Sequence, residues 1–195
     1  MASKTDIANI AVACHSGDWI DNIDSAPGRQ AEAIRKMWTP TYELALASHP
    51  WKFARKAWRD QAAVPAAENP DPDMAYAFRQ PADCVRVFEI RPEADFDEWE
   101  NYITTSAGSL VTLIGTRRGV DIGRCTAFFN EYLGRLLALR ICQPITASEA
   151  IRKRCQEEVE STFAAAASDN GRAGKVKVKV PGTTWLAARL GGAWR

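Results

Sequence analysis

"HPWKFARKAW", His49 to Trp58, decides how the chain is divided, because it closes a helical stretch and opens an extended one. The residue before Pro50 is pushed out of the helical region of backbone space. After it, Trp51, Phe53 and Trp58 sit among Lys52, Arg55, Lys56 and Ala57 in an imperfect alternation that predicts a strand.

Upstream, the periodicity is that of helices. Ser3 and Asp6 form a capping pattern ahead of Ile7, Ile10, Ala11 and Cys14, with Gly17 as a stop. A turn through "GDWIDNIDSAP" leads to a second helix with Pro27 in its first turn and Ile34, Met37, Trp38, Leu44 and Ala45 along one side. Pro40 in its middle is expected to kink or split it.

Downstream, "AAVPAAENPDPDM" reads as a proline-laden loop. Strands are expected near Tyr76–Gln80, Cys84–Ile90, Trp99–Thr105 and Leu110–Thr116, forming a small antiparallel sheet or a pair of hairpins. Helix returns from Asp121 to Cys142, with Ile122, Cys125, Phe129, Tyr132, Leu133, Leu136 and Leu139 on a broad stripe and Glu131–Arg135 as an i,i+4 pair. Pro144 should end it, and Thr146 with Glu149 reads as a capping box for a last helix bearing Ile151, Cys155, Val159 and Phe163. "AAAASDNGRAG" is expected to fray into a connector.

The expected fold class is therefore α+β and mainly α, with a small antiparallel β region inserted between helices and an extended C-terminal arm. The body covers about residues 1–170, with helices at about 4–16, 26–48, 121–142 and 147–168 and the β region at about 51–116; the arm covers about 171–195.

Charge separates the two parts. Residues 171–195 hold Arg172, Lys175, Lys177, Lys179, Arg189 and Arg195 with no acid, a local +6 that leaves the first 170 residues at −5 within a chain of net +1. A basic segment on an acidic body predicts an acidic partner for that segment. The five cysteines are an odd number without a C-x-x-C pair, which suits reduced thiols, and Cys14–His15 lacks the second pair that a metal site would need. The N-terminal stretch has no continuous apolar core of a signal peptide, and no run approaches the ~20 apolar residues of a membrane span. No membrane partner, metal or cofactor is expected.

Catalytic groups are scarce. His15 and His49 are the two histidines, and His49 before Pro50 suits a cap or packing role. Cys84 in "PADCVRV" could be a nucleophile, but its valine neighbours favour a buried strand residue. The acids of "NPDPDM" and "EADFDEWE" suit solvated loops, and "GTRRG" lacks the phosphate-loop pattern and suits a hairpin turn. No enzyme is expected. "WKFARKAW" has the cations and rings of a single-strand grip, and also of a core strand with solvent-facing charges; the acidic body favours the second.

Three stretches carry a family resemblance: "GDWID" at Gly17, "HPWKFARKAW" at His49 and "QPADCVRVFEI" at Gln80. In order and spacing, and with two helices following the strands, the chain resembles the tail tubular protein A family of short-tailed bacteriophages, the head-to-tail adaptors. The resemblance implies a structural virion protein made in the host cytoplasm: a homo-oligomeric ring, typically of twelve subunits, docked under the capsid portal protein and carrying the tail nozzle protein. DNA would pass through its lumen unread. It also implies that the C-terminal segment grips the portal.

The "KVKVKV" of this segment is not a signature of that family, so its role is argued from its residues. Val176, Val178 and Val180 alternate with Lys175, Lys177 and Lys179, a period-two strand pattern. A lone strand needs an edge to join, and strand addition supplies one. Beyond Pro181 and Gly182, Trp185, Leu186, Arg189, Trp194 and Arg195 read as anchors, since Trp and Arg dominate interface hot spots. These eleven residues are the expected portal-binding set. The alternatives are a strand folded back on the chain's own sheet, and a nucleic-acid-binding module using the basic segment.

Overall fold

The Ser3 hydroxyl accepts the Asp6 amide while the Asp6 carboxylate accepts the Ser3 amide, the reciprocal cap that starts α1 (Lys4–Ala13). The structure, a computed structural model, describes residues 2–15, 17–146 and 148–172. Three further helices follow: α2 (Arg29–Ala47), α3 (Ala127–Ile145) and α4 (Glu149–Arg172). α3 packs against the other three. Its buried Leu137, Ala138 and Ile141 meet Ile34 of α2, Ala11 of α1 and Cys155 of α4 in one apolar cluster. Gly134 allows the closest approach, because a Cβ there would lie 2.6 Å from Ile10 Cγ2.

Both prolines are carried inside helices. Pro40 and Lys36 lie on the exposed side of α2, so the carbonyl that loses its partner faces water, and the expected split does not occur. Pro144 falls in the last turn of α3, which runs on to Ile145. α3 also starts later than expected: a short 3₁₀ turn at Ile122–Arg124 precedes it, and the Thr126 hydroxyl caps Phe129. The cap of α4 is Ser148, whose hydroxyl accepts the Ile151 amide, rather than Thr146. Leu44, expected in the core, is exposed, and Tyr42 and Leu46 are buried instead.

The mainly α assignment with a small β region is corrected by the strands. Six of them, β1 (Arg55–Ala62), β2 (Tyr76–Arg79), β3 (Cys84–Arg91), β4 (Phe96–Trp99), β5 (Tyr102–Thr105) and β6 (Leu110–Arg117), form two three-stranded antiparallel sheets. The fold is α+β, 48% helix and 21% strand. One sheet runs β1-β6-β3 and the other β2-β5-β4. Their facing sides bury Trp58, Phe78, Val87, Ile90, Ile103 and Leu113 in a core separate from that of the helices. The local pattern understates the sheets, because β1 and β3 both pair with the distant β6. The expected strand Trp99–Thr105 is two strands folded at Glu100 and Asn101, where Glu100 takes φ 49 without a glycine to mark the turn.

The extended C-terminal arm lies outside the described residues from Ala173 onward. Its expected connector does not fray within them, because α4 continues to Arg172. No helix among the described residues is long and apolar enough to cross a membrane.

Candidate docking surfaces

All eleven residues expected to bind a portal, Lys175 to Val180, Trp185, Leu186, Arg189, Trp194 and Arg195, lie outside the described residues. The body nevertheless shows where their segment leaves. In the last turn of α4, the Asn170 side chain accepts the Lys52 amide at 2.8 Å and donates to the Pro50 carbonyl at 3.2 Å, and the Lys52 ammonium donates to the Gly171 carbonyl at 3.1 Å. These bonds hold the helix end against the backbone on both sides of Trp51. Beside them lies a cavity of about 520 Å³, with Phe88 and Ile114 among its apolar lining and Lys52, Arg55 and Glu89 among its charged residues. Arg55 and Glu89 are paired at 2.8 Å.

The residues that carried the resemblance are joined in space. Trp51 is fully buried, donates from Nε1 to the Ala45 carbonyl at 2.7 Å, and stands edge-on to Phe129 with ring centres 5.0 Å apart. Phe53 stacks beside it. Some thirty residues on, Asp83 receives Trp58 Nε1 at 2.8 Å and Lys56 Nζ at 2.6 Å, tying β1 to the start of β3. The rings of "WKFARKAW" thus serve two cores, and Arg55 and Lys56 are engaged by carboxylates. By contrast, Trp19 of "GDWID" is 73% exposed beside Asp18 and Asp21, over an open trough of about 720 Å³.

The hydrogen bond from Lys56, then that from Trp58, holds the Asp83 carboxyl below the usual carboxylate range despite some desolvation. A depressed folded pKa stabilises the fold above the unfolded value and loses that contribution as pH falls through the folded one. We therefore expect Asp83→Asn to flatten the fall in thermal midpoint below about pH 4. The effect is about 1 kcal/mol or less, since both Lys56 and Asp83 are substantially solvated. An unaltered acid profile in the variant would remove Asp83 from the joint.

The candidate catalytic groups take structural places. Cys84 is buried and its thiol is pushed up to about 11 by desolvation, which leaves almost no thiolate at neutral pH. His49 packs edge-on to Trp51 at 4.8 Å, and burial lowers its pKa. His15 bonds the Ala138 carbonyl at 2.9 Å, and Cys14 receives Arg135 at 3.1 Å. Asp71 of "NPDPDM" is buried, accepting Thr104 Oγ1 at 3.2 Å and the Asp73 amide at 2.9 Å. "GTRRG" is the exit of β6 rather than a hairpin turn, and Arg118 pairs with Glu43 at 3.0 Å. Among the described residues, no three His, Cys, Asp or Glu side chains gather as a metal site.

"EADFDEWE" is a strand where its acids suggest a solvated loop: it contains β4, an edge strand whose Asp97, Glu98 and Trp99 are exposed. The signal was present in Phe96, which packs into the inter-sheet core and marks one face of a two-residue alternation. Compared with known proteins, the chain matches no family model, and no curated protein is similar to it.

Proposed function

We propose that the chain is a non-enzymatic structural subunit of a phage virion, one copy in an adaptor ring that joins the capsid portal to the tail nozzle and lets DNA pass. The observation that carries this reading is the junction built from the motifs of the resemblance. "HPWKFARKAW" and "PADC" meet at Asp83, and Trp51 seats the first of them in the helical core. Residues used in this way set the relation between helices and sheets, which is a scaffold's task. The acidic body and the basic, Trp-bearing segment after Arg172 fit a subunit that holds its neighbours through that segment.

In the nucleic-acid reading, "WKFARKAW" has less support, because single-strand binding needs rings open to stacking and Trp51 and Trp58 are buried; the basic segment that the reading also uses lies outside the described residues. A salt titration separates the two readings. Nucleic-acid binding weakens steeply with salt, whereas a Trp-anchored protein interface responds far less.

The direct test is the mass of the purified protein with and without portal protein. A ring-sized complex is expected with portal, and deletion of residues 174–195 should weaken binding to portal at least a hundredfold, the scale of losing one or two hot-spot anchors. Unchanged portal affinity in the truncated chain would sink the role given to this segment.

A further inference from the structure

Arg140, close to the end of α3, is a charged side chain whose partner the described residues do not supply. Arg135 on the same helix is held by Glu131 at 2.7 Å and by Glu158 at 3.0 Å. The Nε of Arg140, by contrast, is buried and has no hydrogen-bond partner among the described residues. A donor shut off from water and left unpaired is unfavourable, and more so on a charged group, so its position calls for an acceptor brought from outside.

Arg140 lines a cavity of about 320 Å³ between α2, α3 and α4. Gln143, Arg152 and Gln156 line it as well, Met37 and Leu139 supply apolar walls, and no carboxylate is among them. Arg152 has Glu149 at 3.8 Å with both side chains largely exposed, a loose pair that an incoming anion can displace. The Gln156 amide reaches Glu160 only at 3.5 Å. Helix poles add little, because the negative end of α3 and the positive start of α4 lie within a few residues of each other, each worth about half a charge. The two guanidinium groups therefore set the sign of the cavity, in a body that is otherwise acidic.

The donor set selects among anions. A carboxylate has two oxygens in one plane, and a single guanidinium fork satisfies both. Two guanidinium groups and two amides, brought from two helices to one space, suit an acceptor with oxygens on several sides. The volume holds such a group with several waters, at about 30 Å³ for each water. We infer that this cavity is a phosphate site: Arg140 and Arg152 neutralise the group, Gln143 and Gln156 donate to its remaining oxygens, and the bound phosphate clasps the end of α3 to the first turns of α4. The group can come free or as part of a nucleic-acid backbone, with the same chemistry at the site. Phosphate binding by a chain that forms no ring would leave this site standing, and a ring without it would leave the adaptor reading standing.

The test titrates the full chain with inorganic phosphate at neutral pH, with chloride holding the ionic strength constant, and follows the phosphorus line width and the thermal midpoint. Saturable binding is expected, with the midpoint raised by about 3–6 °C at ten times the dissociation constant. Arg140→Gln should weaken binding at least tenfold, the scale of one charge-assisted hydrogen bond. Gln143→Glu sets a carboxylate three residues from Arg140 on the same helix. It should also weaken phosphate binding at least tenfold, while its midpoint in chloride alone is no lower than that of the unaltered chain, so the loss cannot be laid to unfolding. Binding that does not saturate, acetate held as tightly as phosphate, or undiminished binding in Arg140→Gln would each overturn the site. Dimethyl phosphate, the diester unit of a nucleic-acid backbone, tells the two sources apart. An affinity within tenfold of inorganic phosphate's means that the site takes a backbone diester, and a larger loss means a free or terminal phosphate; either supports the site.

Discussion

Trp51→Ala is expected to destabilise the protein by about 4 kcal/mol, the scale of emptying a buried aromatic site. The indole touches more of the fold than any local count suggests. Its ring meets His49, Phe53, Phe129, Tyr132 and Phe163, drawn from the turn, α3 and α4, and its Nε1 satisfies the Ala45 carbonyl at the end of α2. Truncation leaves a cavity and takes from the Ala45 carbonyl one of its two donors, the other being the Ser48 hydroxyl at 2.8 Å. Against a typical total of about 5–15 kcal/mol, that loss lowers the denaturant midpoint by about a quarter or more. Trp51→Phe keeps most of the volume and should cost about 1 kcal/mol, the scale of one net hydrogen bond, since the Ser48 hydroxyl still satisfies the Ala45 carbonyl. Urea unfolding of the three proteins measures this, and a cost below about 1 kcal/mol for the alanine variant would mean that the nest relaxes around the gap.

Gly115→Ala should be nearly as damaging, at about 3 kcal/mol, for a different reason. Gly115 sits in the central strand β6, opposite Lys56 on one side and Val87 on the other, beside the irregularity between Val87 and Glu89. A Cβ there would overlap the Arg86 carbonyl and lie 3.0 Å from the Val87 Cα. Both neighbours are backbone and cannot swing aside, so the β3–β6 register itself must yield. Hydrogen exchange should show the loss first in the β3 amides. Gly171→Ala is the control, since nothing lies within 4 Å of its added methyl and a helix prefers alanine.

These two residues also mark what was legible in the sequence. Trp51 could be placed at a helix-to-strand boundary because Pro50 acts on its immediate neighbour. Ser3 with Asp6 and Glu131 with Arg135 were equally plain, as their partners lie three and four residues away. Gly115 gave no sign, because its reason is the carbonyl of Arg86 on another strand. The same distance hid the second sheet and the hairpin at Glu100, whose backbone takes a left-handed value without the residue that usually announces it. Asn170 holds "AAAASDNGR" helical to Arg172 through bonds to Pro50 and Lys52, about 120 residues away in sequence. For the candidate surfaces, the charge contrast between body and segment was readable, but the strand character of "EADFDEWE" depended on β5 lying beside it.

The fastening of α4 by Asn170 bears on how the molecule carries load. A pull on the chain beyond Arg172 first meets three hydrogen bonds that grip the backbone around Trp51, so tension enters at the joint between helices and sheets. The helix is then loaded along its length at a braced end, and its turns cannot be unzipped one by one from the tip. A pull on the chain beyond Arg172 is thus passed to the backbone around Trp51, and through it to β1, as well as to α4.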